Sequence, residues 1–259
     1  MIVFYAITTK PNAENVGGAV MKSFLMAMQF LTRIPLPVNA GADPELIGRS
    51  LLWYPLVGAL IGALLYALTM LPVNQSSFVT AVIILIIWVL ITGGLHLDGL
   101  ADSADAWAGG YGDREKTLAI MKDPHVGSLA VVVLVLVLLL KFSALSELLK
   151  SGNAHYLILA PMLGRCAVVY LFLTTPYVRQ QGLGTNMAKH LPRGMAIFVL
   201  LLFIIPALIL QPVAVISAGL ALMALRYLMI KRIDGMTGDT VGASIEIIEA
   251  VVLVGLVML

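Results

Sequence analysis

Apolar runs long enough to cross a bilayer recur along this chain, and they leave few folds open to it. A hydrocarbon core about 30 Å thick asks for a helix of about 20 mostly apolar residues. Seven stretches meet or approach that length, at 51–71, 78–95, 127–149, 156–175, 195–210, 213–230 and 240–258. Backbone polar groups in lipid must be satisfied within the segment, so spans of this kind fold as helices. A hydrophobic fraction of 60%, only 12% charged residues and a mean hydropathy of +1.00 place the whole chain with polytopic membrane proteins rather than soluble domains. The predicted fold is therefore all-α, an integral membrane bundle of about seven transmembrane helices in one domain spanning 21–259.

Details within the runs refine this picture. The fifth and sixth spans are short and separated only by Gln211-Pro212, as in a tilted hairpin. Gly58 and Gly62 repeat at four-residue spacing, which suits close helix packing in lipid. The net charge of +2 is too small to point to nucleic acid. The one cysteine, Cys166, lies within an apolar run and offers no disulfide framework or thiolate metal site.

Residues 1–20 lack a signal-peptide pattern, since Lys10-Pro11 interrupts the run IVFYAI. They read as an extension of uncertain order, with Met21 a candidate start. From Met21 to Leu31 the pattern forms a short amphipathic helix suited to the membrane interface, ended by the prolines of TRIPLPV.

Charge sets the orientation. With seven spans, one side carries Lys10, Lys22, Arg33, Arg49, Arg114, Lys116, Lys122, Arg179, Lys189, Arg193, Lys231 and Arg232, whereas the opposite loops carry only Lys150. A bias of twelve to one puts the richer side in the cytoplasm of a protein integral to the cell (inner) membrane.

The same side holds a polar island from Gly93 to Asp123, with six of the fourteen acidic residues. Asp98, Asp102 and Asp105 are spaced four and then three apart, which places them on one helical face within an arc of roughly 60°. Carboxylates so crowded repel unless a cation neutralises them, and Mg²⁺ is the common hard cation that accepts such ligands beside phosphates. A solvated acidic helix face is the plainer reading. The small neighbours Gly99, Ala101, Ser103 and Ala104 favour the metal, because they let another helix or a ligand approach closely.

A second acidic group opens the last span in GMTGDTVGASIEIIEA. Asp239 and Glu246, seven apart, share a face, and Glu249 is rotated by roughly 80° from Asp239. Carboxylates inside a span are functional suspects. Their structural alternative is pairing with buried Lys141 or Arg165, and Glu249 is assigned that role. Lys122 reads either as a phosphate contact or as a snorkelling interfacial lysine, and Arg165 needs either a carboxylate or a bound phosphate. His96 is a weak ligand candidate without a second histidine. Trp107 and Tyr111 read as interfacial anchors or as a stacking surface for a flat base. No P-loop, Ser/His/Asp set or dinucleotide motif is present.

These features point to Mg²⁺-assisted phosphoryl chemistry at a membrane face. FLTRIPLP, GGLHLDGLADSADAW, IMKDPHVG and TGDTVGASIEIIE, in that order, resemble the cobalamin synthase family, adenosylcobinamide-GDP ribazoletransferases, from about Met21 to Leu259. The resemblance implies transfer from adenosylcobinamide-GDP to α-ribazole or its 5′-phosphate with release of GMP and a requirement for Mg²⁺, in the last steps of cobalamin assembly. Carried over by motif, Asp98, Asp102 and Asp105 would be catalytic and hold the metal. Asp239 and Glu246 would complete its shell or hold a second ion. Lys122 or Arg165 would neutralise the leaving phosphate. Two rivals remain at this stage. A CDP-alcohol phosphotransferase also places aspartates among glycines, but Asp102 and Ser103 stand where its DGxxAR pattern has alanine and arginine. An ion-coupled transporter would use Asp98 and Asp239 as a pathway.

Overall fold

The computed structural model describes residues 13–36, 43–71 and 76–258. Among them every regular element is a helix. α1 (Ala13–Leu31) begins upstream of the boundary expected at Met21, so the amphipathic helix is longer than its apolar pattern indicated. The rest of the extension, residues 1–12, lies outside the described residues. α2 (Pro44–Ser50) runs through one 3₁₀ turn into α3 (Tyr54–Thr69), and together they make a 26-residue span. The Asp43 carboxylate accepts from the Glu45 N–H and Pro44 occupies the first turn, two features that start a helix.

α4 (Ser77–Thr92) is capped by the Ser76 hydroxyl, which accepts from the Val79 N–H. At 1.5 Å per residue its 16 residues reach only about 24 Å. The chain then turns through 88° into α5 (Leu95–Gly109). The elbow is Gly93-Gly94, with φ of 66° and 68°, a left-handed conformation that glycine adopts without a Cβ penalty. Space matters here as well, because the Arg33 side chain packs where a Cβ on Gly93 would stand. The second span expected at 78–95 is thus a bent pair. Among the described residues six helices are long and apolar enough to cross a membrane, or seven if the bent pair of α4 and α5 counts as one.

α6 (Arg114–Ile120) follows, capped by Asp113, and then α7 (Ser128–Lys150) returns through the bundle. α8 (Leu159–Thr174) and α12 (Gly238–Val257) form its centre, each with about four-fifths of its span window buried. α9 (Leu183–His190) is short and packs on α2. α10 (Arg193–Leu210) and α11 (Pro212–Ile233) make the expected hairpin at Gln211, and both are mostly exposed, as helices bordering lipid would be.

Glycines permit the closest crossings. A Cβ on Gly62 would stand 2.6 Å from Ile158 Cα, in the 3₁₀ turn that leads into α8, and Gly58 meets the Pro161 carbonyl, so the four-residue glycine repeat is the contact line between α3 and the entry to α8. At the other crossing Gly99 of α5 lies against the Asp239 backbone of α12.

Candidate functional site

The two acidic segments, some 135 residues apart in sequence, converge where α5 crosses the start of α12. A Cβ on Gly99 would lie 2.7 Å from the Asp239 carbonyl oxygen and 3.1 Å from its Cα. Only glycine lets the helices come this close. α12 starts with a capping box in which the Thr237 hydroxyl accepts from the Thr240 N–H and the Thr240 hydroxyl accepts from the Thr237 N–H. That cap holds Asp239 in the first turn beside α5.

Asp98 and Asp239 line a cleft of about 340 Å³ with Tyr177, Arg179 and Gln181. His96 and Tyr54 lie on its deeper side, both buried. Arg179 Nη2 donates to Asp239 Oδ2 at 2.6 Å, and the Thr237 hydroxyl donates to the same oxygen at 3.4 Å. The arginine is positioned by a short parallel pairing: the Val178 N–H donates to Met236 O at 2.9 Å, and the Met236 N–H to Pro176 O at 2.8 Å. Arg179 Nε is buried with no partner among the described residues. Burial pushes the Tyr177 hydroxyl above its ordinary pKa, with Arg179 opposing and Asp239 adding to the rise.

The three aspartates of α5 have different surroundings. Asp98 is exposed at the cleft, and Asp102 is half-buried in the field of Asp98, Asp239 and Asp105, with Arg179 opposing. Neither carboxylate accepts a hydrogen bond or forms an ion pair among the described residues. Asp105 is engaged. Its Oδ2 accepts from the Gly127 N–H at 2.5 Å and its Oδ1 from the Ala130 N–H at 2.9 Å, satisfying the free donors at the start of α7.

Among the described residues no three His, Cys, Asp or Glu side chains are gathered as a ready-made metal cage. The donors that are present still fit a hard divalent cation. Mg²⁺ is commonly held by one or two carboxylates plus water and substrate phosphate oxygens, and Asp98 and Asp102 supply uncompensated oxygens of that kind.

Lys122, exposed after α6, lines a second hollow of about 460 Å³ with Arg114, Arg179 and Gln181. Arg179 and Gln181 belong to both hollows, so a cationic rim adjoins the acidic cleft. Arg114 also pairs with Asp234 at 3.0 Å, which puts α6 and the end of α11 at one end of the bundle.

Glu246 and Arg165 are not brought to the cleft. Lys141 Nζ donates to Glu246 Oε2 at 2.5 Å and to Glu249 Oε2 at 2.6 Å, while Arg165 Nη1 donates to the other Glu249 oxygen. All four are at least 95% buried, and Lys141 also lies 4.7 Å over the Trp88 ring. In lipid, four charges that compensate one another are far cheaper to bury than any one alone. This network pairs both cations with carboxylates, although Arg165 Nε and Nη2 are buried with no hydrogen-bond partner among the described residues, and the ligand role expected of Glu246 and the phosphate role expected of Arg165 are not carried into the functional reading. Arg179 and Tyr177 were not singled out from sequence as site residues. No motif marks PYVRQQG, and only the long-range pairing with Met236 brings it to the site.

The fold and cleft together define a class: a polytopic helical membrane protein with an acidic centre and a cationic rim at one end of the bundle. Residues 23–257 match the family described as cobalamin-5-phosphate synthase, and the chain belongs to that family. It is 50% identical over 242 residues to an adenosylcobinamide-GDP ribazoletransferase of Pseudomonas fluorescens (strain SBW25), covering 92% of this chain and 100% of the relative. Enzymes of the same description from Stutzerimonas stutzeri (strain A1501) and Pseudomonas putida (strain F1) are 50% and 51% identical, again over 92% of this chain and over 98% and 99% of theirs. No solved structure matches the chain.

Proposed function

We propose that this protein is an adenosylcobinamide-GDP ribazoletransferase that joins adenosylcobinamide-GDP to α-ribazole, or its 5′-phosphate, and releases GMP on the cytoplasmic face of the cell membrane. Family membership supports the reaction, and half-identical relatives of full length carry its name. The observation that carries the siting is the convergence of Asp98 and Asp239, with Asp102 in the field of both, beside a rim of Arg179, Lys122 and Arg114. A diphosphate ester needs this pairing of cation ligands with cationic side chains.

Asp98 and Asp102 would hold Mg²⁺, with Asp239 close by and already paired with Arg179. When bound, the ion neutralises charge on the diphosphate. Arg179 and Lys122 bind and orient the diphosphate from the rim, Arg179 as a guanidinium braced by Asp239 and Lys122 as a point charge. The ribazole 3′-hydroxyl attacks the cobinamide-side phosphorus, the bond to the GMP oxygen breaks, and the hydroxyl proton passes to an aspartate oxygen of α5. Catalysis of this kind rests on positioning and charge more than on covalent help from the protein.

The cytoplasmic orientation is supported by the charge bias of the loops. One assay tests the whole reading: purified protein with adenosylcobinamide-GDP and α-ribazole, with and without Mg²⁺, followed by GMP release. Mg²⁺-dependent GMP is expected. CMP release from a CDP-alcohol instead, or ion flux in proteoliposomes without GMP, would overturn it.

A further inference from the structure

α5 presents two unlike faces. Asp98, Asp102 and Asp105 occupy one, and Leu100, Ser103, Ala104 and Trp107 the other, about 180° away around the helix. The second face closes over an almost wholly apolar hollow of about 380 Å³, whose other walls include Val133 of α7, Met229 of α11 and Ile247 of α12. Its size lies within the roughly 300–1,000 Å³ typical of ligand pockets.

Two polar atoms on residues that line this hollow are unexplained. Ser103 Oγ and Trp107 Nε1, one helical turn apart, are buried with no hydrogen-bond partner among the described residues, and Ser103 is only 4% exposed. In apolar surroundings an unpaired donor is costly, so the pair is matched to an acceptor that the described residues do not supply. A hollow of about 460 Å³ adjoins on the far side of Trp107 and Ala108, lined by Tyr111, Lys231 and Arg232. Neither cation has a carboxylate partner among the described residues. Lys231 lies 5.8 Å over the Tyr227 ring, and Arg232 lies 5.6 Å over Trp107 and donates Nη1 to its carbonyl at 2.7 Å. Because the hollows share Trp107 and Ala108, they form one trough: an apolar groove, then two donors, then two cations.

We propose that this trough binds an anionic phospholipid of the surrounding bilayer. The order of its chemistry follows the molecule, with the acyl chain against Val133, Met229 and Ile247, the ester carbonyls on Ser103 and Trp107, and the phosphate at Lys231 and Arg232. A zwitterionic lipid offers the same chain and ester but brings a cation toward two cations. A nucleotide would satisfy the cations and stack on Trp107, but would leave the apolar groove without an occupant. The lipid site lies on the face of α5 opposite the aspartates, and it stands independently of the transferase reading.

The test is native mass spectrometry of the full-length protein in detergent, titrated with phosphatidylglycerol or phosphatidylcholine of identical acyl chains. One phosphatidylglycerol is expected to bind roughly thirtyfold more tightly, since each of the two basic residues at a membrane surface is worth about fivefold. Lys231→Gln with Arg232→Gln should weaken it roughly thirtyfold, to the level of phosphatidylcholine. Because Arg232 also braces Trp107, Lys231→Gln alone is the control for misfolding and should still cost about fivefold. Ala104→Leu, which fills the groove, should weaken both lipids, and Lys22→Gln should change neither. Equal binding of the two lipids, or phosphatidylglycerol binding indifferent to Lys231→Gln, would overturn the proposal. So would GMP bound at Lys231 and Arg232 in place of lipid.

Discussion

Gly99→Ala is the sharpest probe of this molecule, because one methyl group tests packing and site geometry together. The added Cβ would stand 2.7 Å from the Asp239 carbonyl oxygen, about 0.7 Å short of the 3.4 Å at which ordinary contact begins. Its neighbours there are backbone atoms, which cannot rotate aside as a side chain would. α5 and α12 must therefore separate by several tenths of an ångström, carrying Asp239 away from Asp98. Overpacking of this kind costs about 1–3 kcal/mol, offset by the roughly 1 kcal/mol that alanine gains over glycine inside a helix. The net loss of stability is thus small, on the order of 1 kcal/mol. Turnover should suffer more, because a displacement approaching 1 Å in a positioned site costs up to about 10²-fold. A fall in GMP release of about 10- to 100-fold is expected, with only a small drop in unfolding temperature in detergent. Gly242 supplies the internal control. It faces α5 across the same interface, but its added Cβ would meet His96 Cα at 3.5 Å, an ordinary contact. Gly242→Ala should therefore be neutral or slightly stabilising, with turnover preserved. Equal effects of the two substitutions on GMP release, or a fully active Gly99→Ala, would refute the reasoning.

Asp98→Asn removes charge at an exposed position, so thermal unfolding should be unchanged while GMP release falls by about 10²-fold or more. A folded and near-normal variant would take this residue out of the mechanism. Asp105→Ala deprives the start of α7 of two accepted hydrogen bonds and should lower stability by about 1–2 kcal/mol, read by thermal unfolding. Glu249→Gln leaves Arg165 buried without its carboxylate and should cost about 3–5 kcal/mol by the same measurement. Chelation of divalent cations should abolish GMP release and added Mg²⁺ restore it; activity indifferent to chelation would exclude the metal proposed for Asp98 and Asp102.

Much of the fold was legible because lipid imposes one rule on every span. Apolar length locates α3, α4, α7, α8, α10, α11 and α12 to within a few residues except at the entry to the first span. The four-residue glycine repeat marked the α3–α8 contact for a similar reason, since only missing side chains allow it. The elbow at Gly93-Gly94 was not legible. Apolar residues continue past it to Leu97, and only backbone dihedrals reveal the turn. Spacing placed Asp105 correctly on the face of Asp98 and Asp102. It could not show that the start of α7 lies opposite, because the partners are backbone N–H groups, which carry no residue-type signal. Arg179 was hidden for a related reason. It reaches Asp239 through a two-bond pairing of segments nearly 60 residues apart, too short to leave a pattern in either.

The buried charges gain meaning from where they lie on α12. Asp239 is in its first turn, and Glu246 and Glu249 lie about 10 and 15 Å further along the axis. An apolar helix packed among apolar helices can slide by one turn, about 5.4 Å, with little change in the kind of contact it makes. The same slide would pull Glu246 and Glu249 off Lys141 and Arg165 and leave four charges unpaired in lipid, each costing several kcal/mol. Nothing of comparable cost holds α12 at its Asp239 end, where the groups reach water. The deep network therefore specifies register more than it adds stability, a role for which buried polar groups are best attested. A register held at Glu246 and Glu249 is what keeps the Asp239 backbone seated on Gly99, and so keeps the acidic segment of α12 beside Asp98.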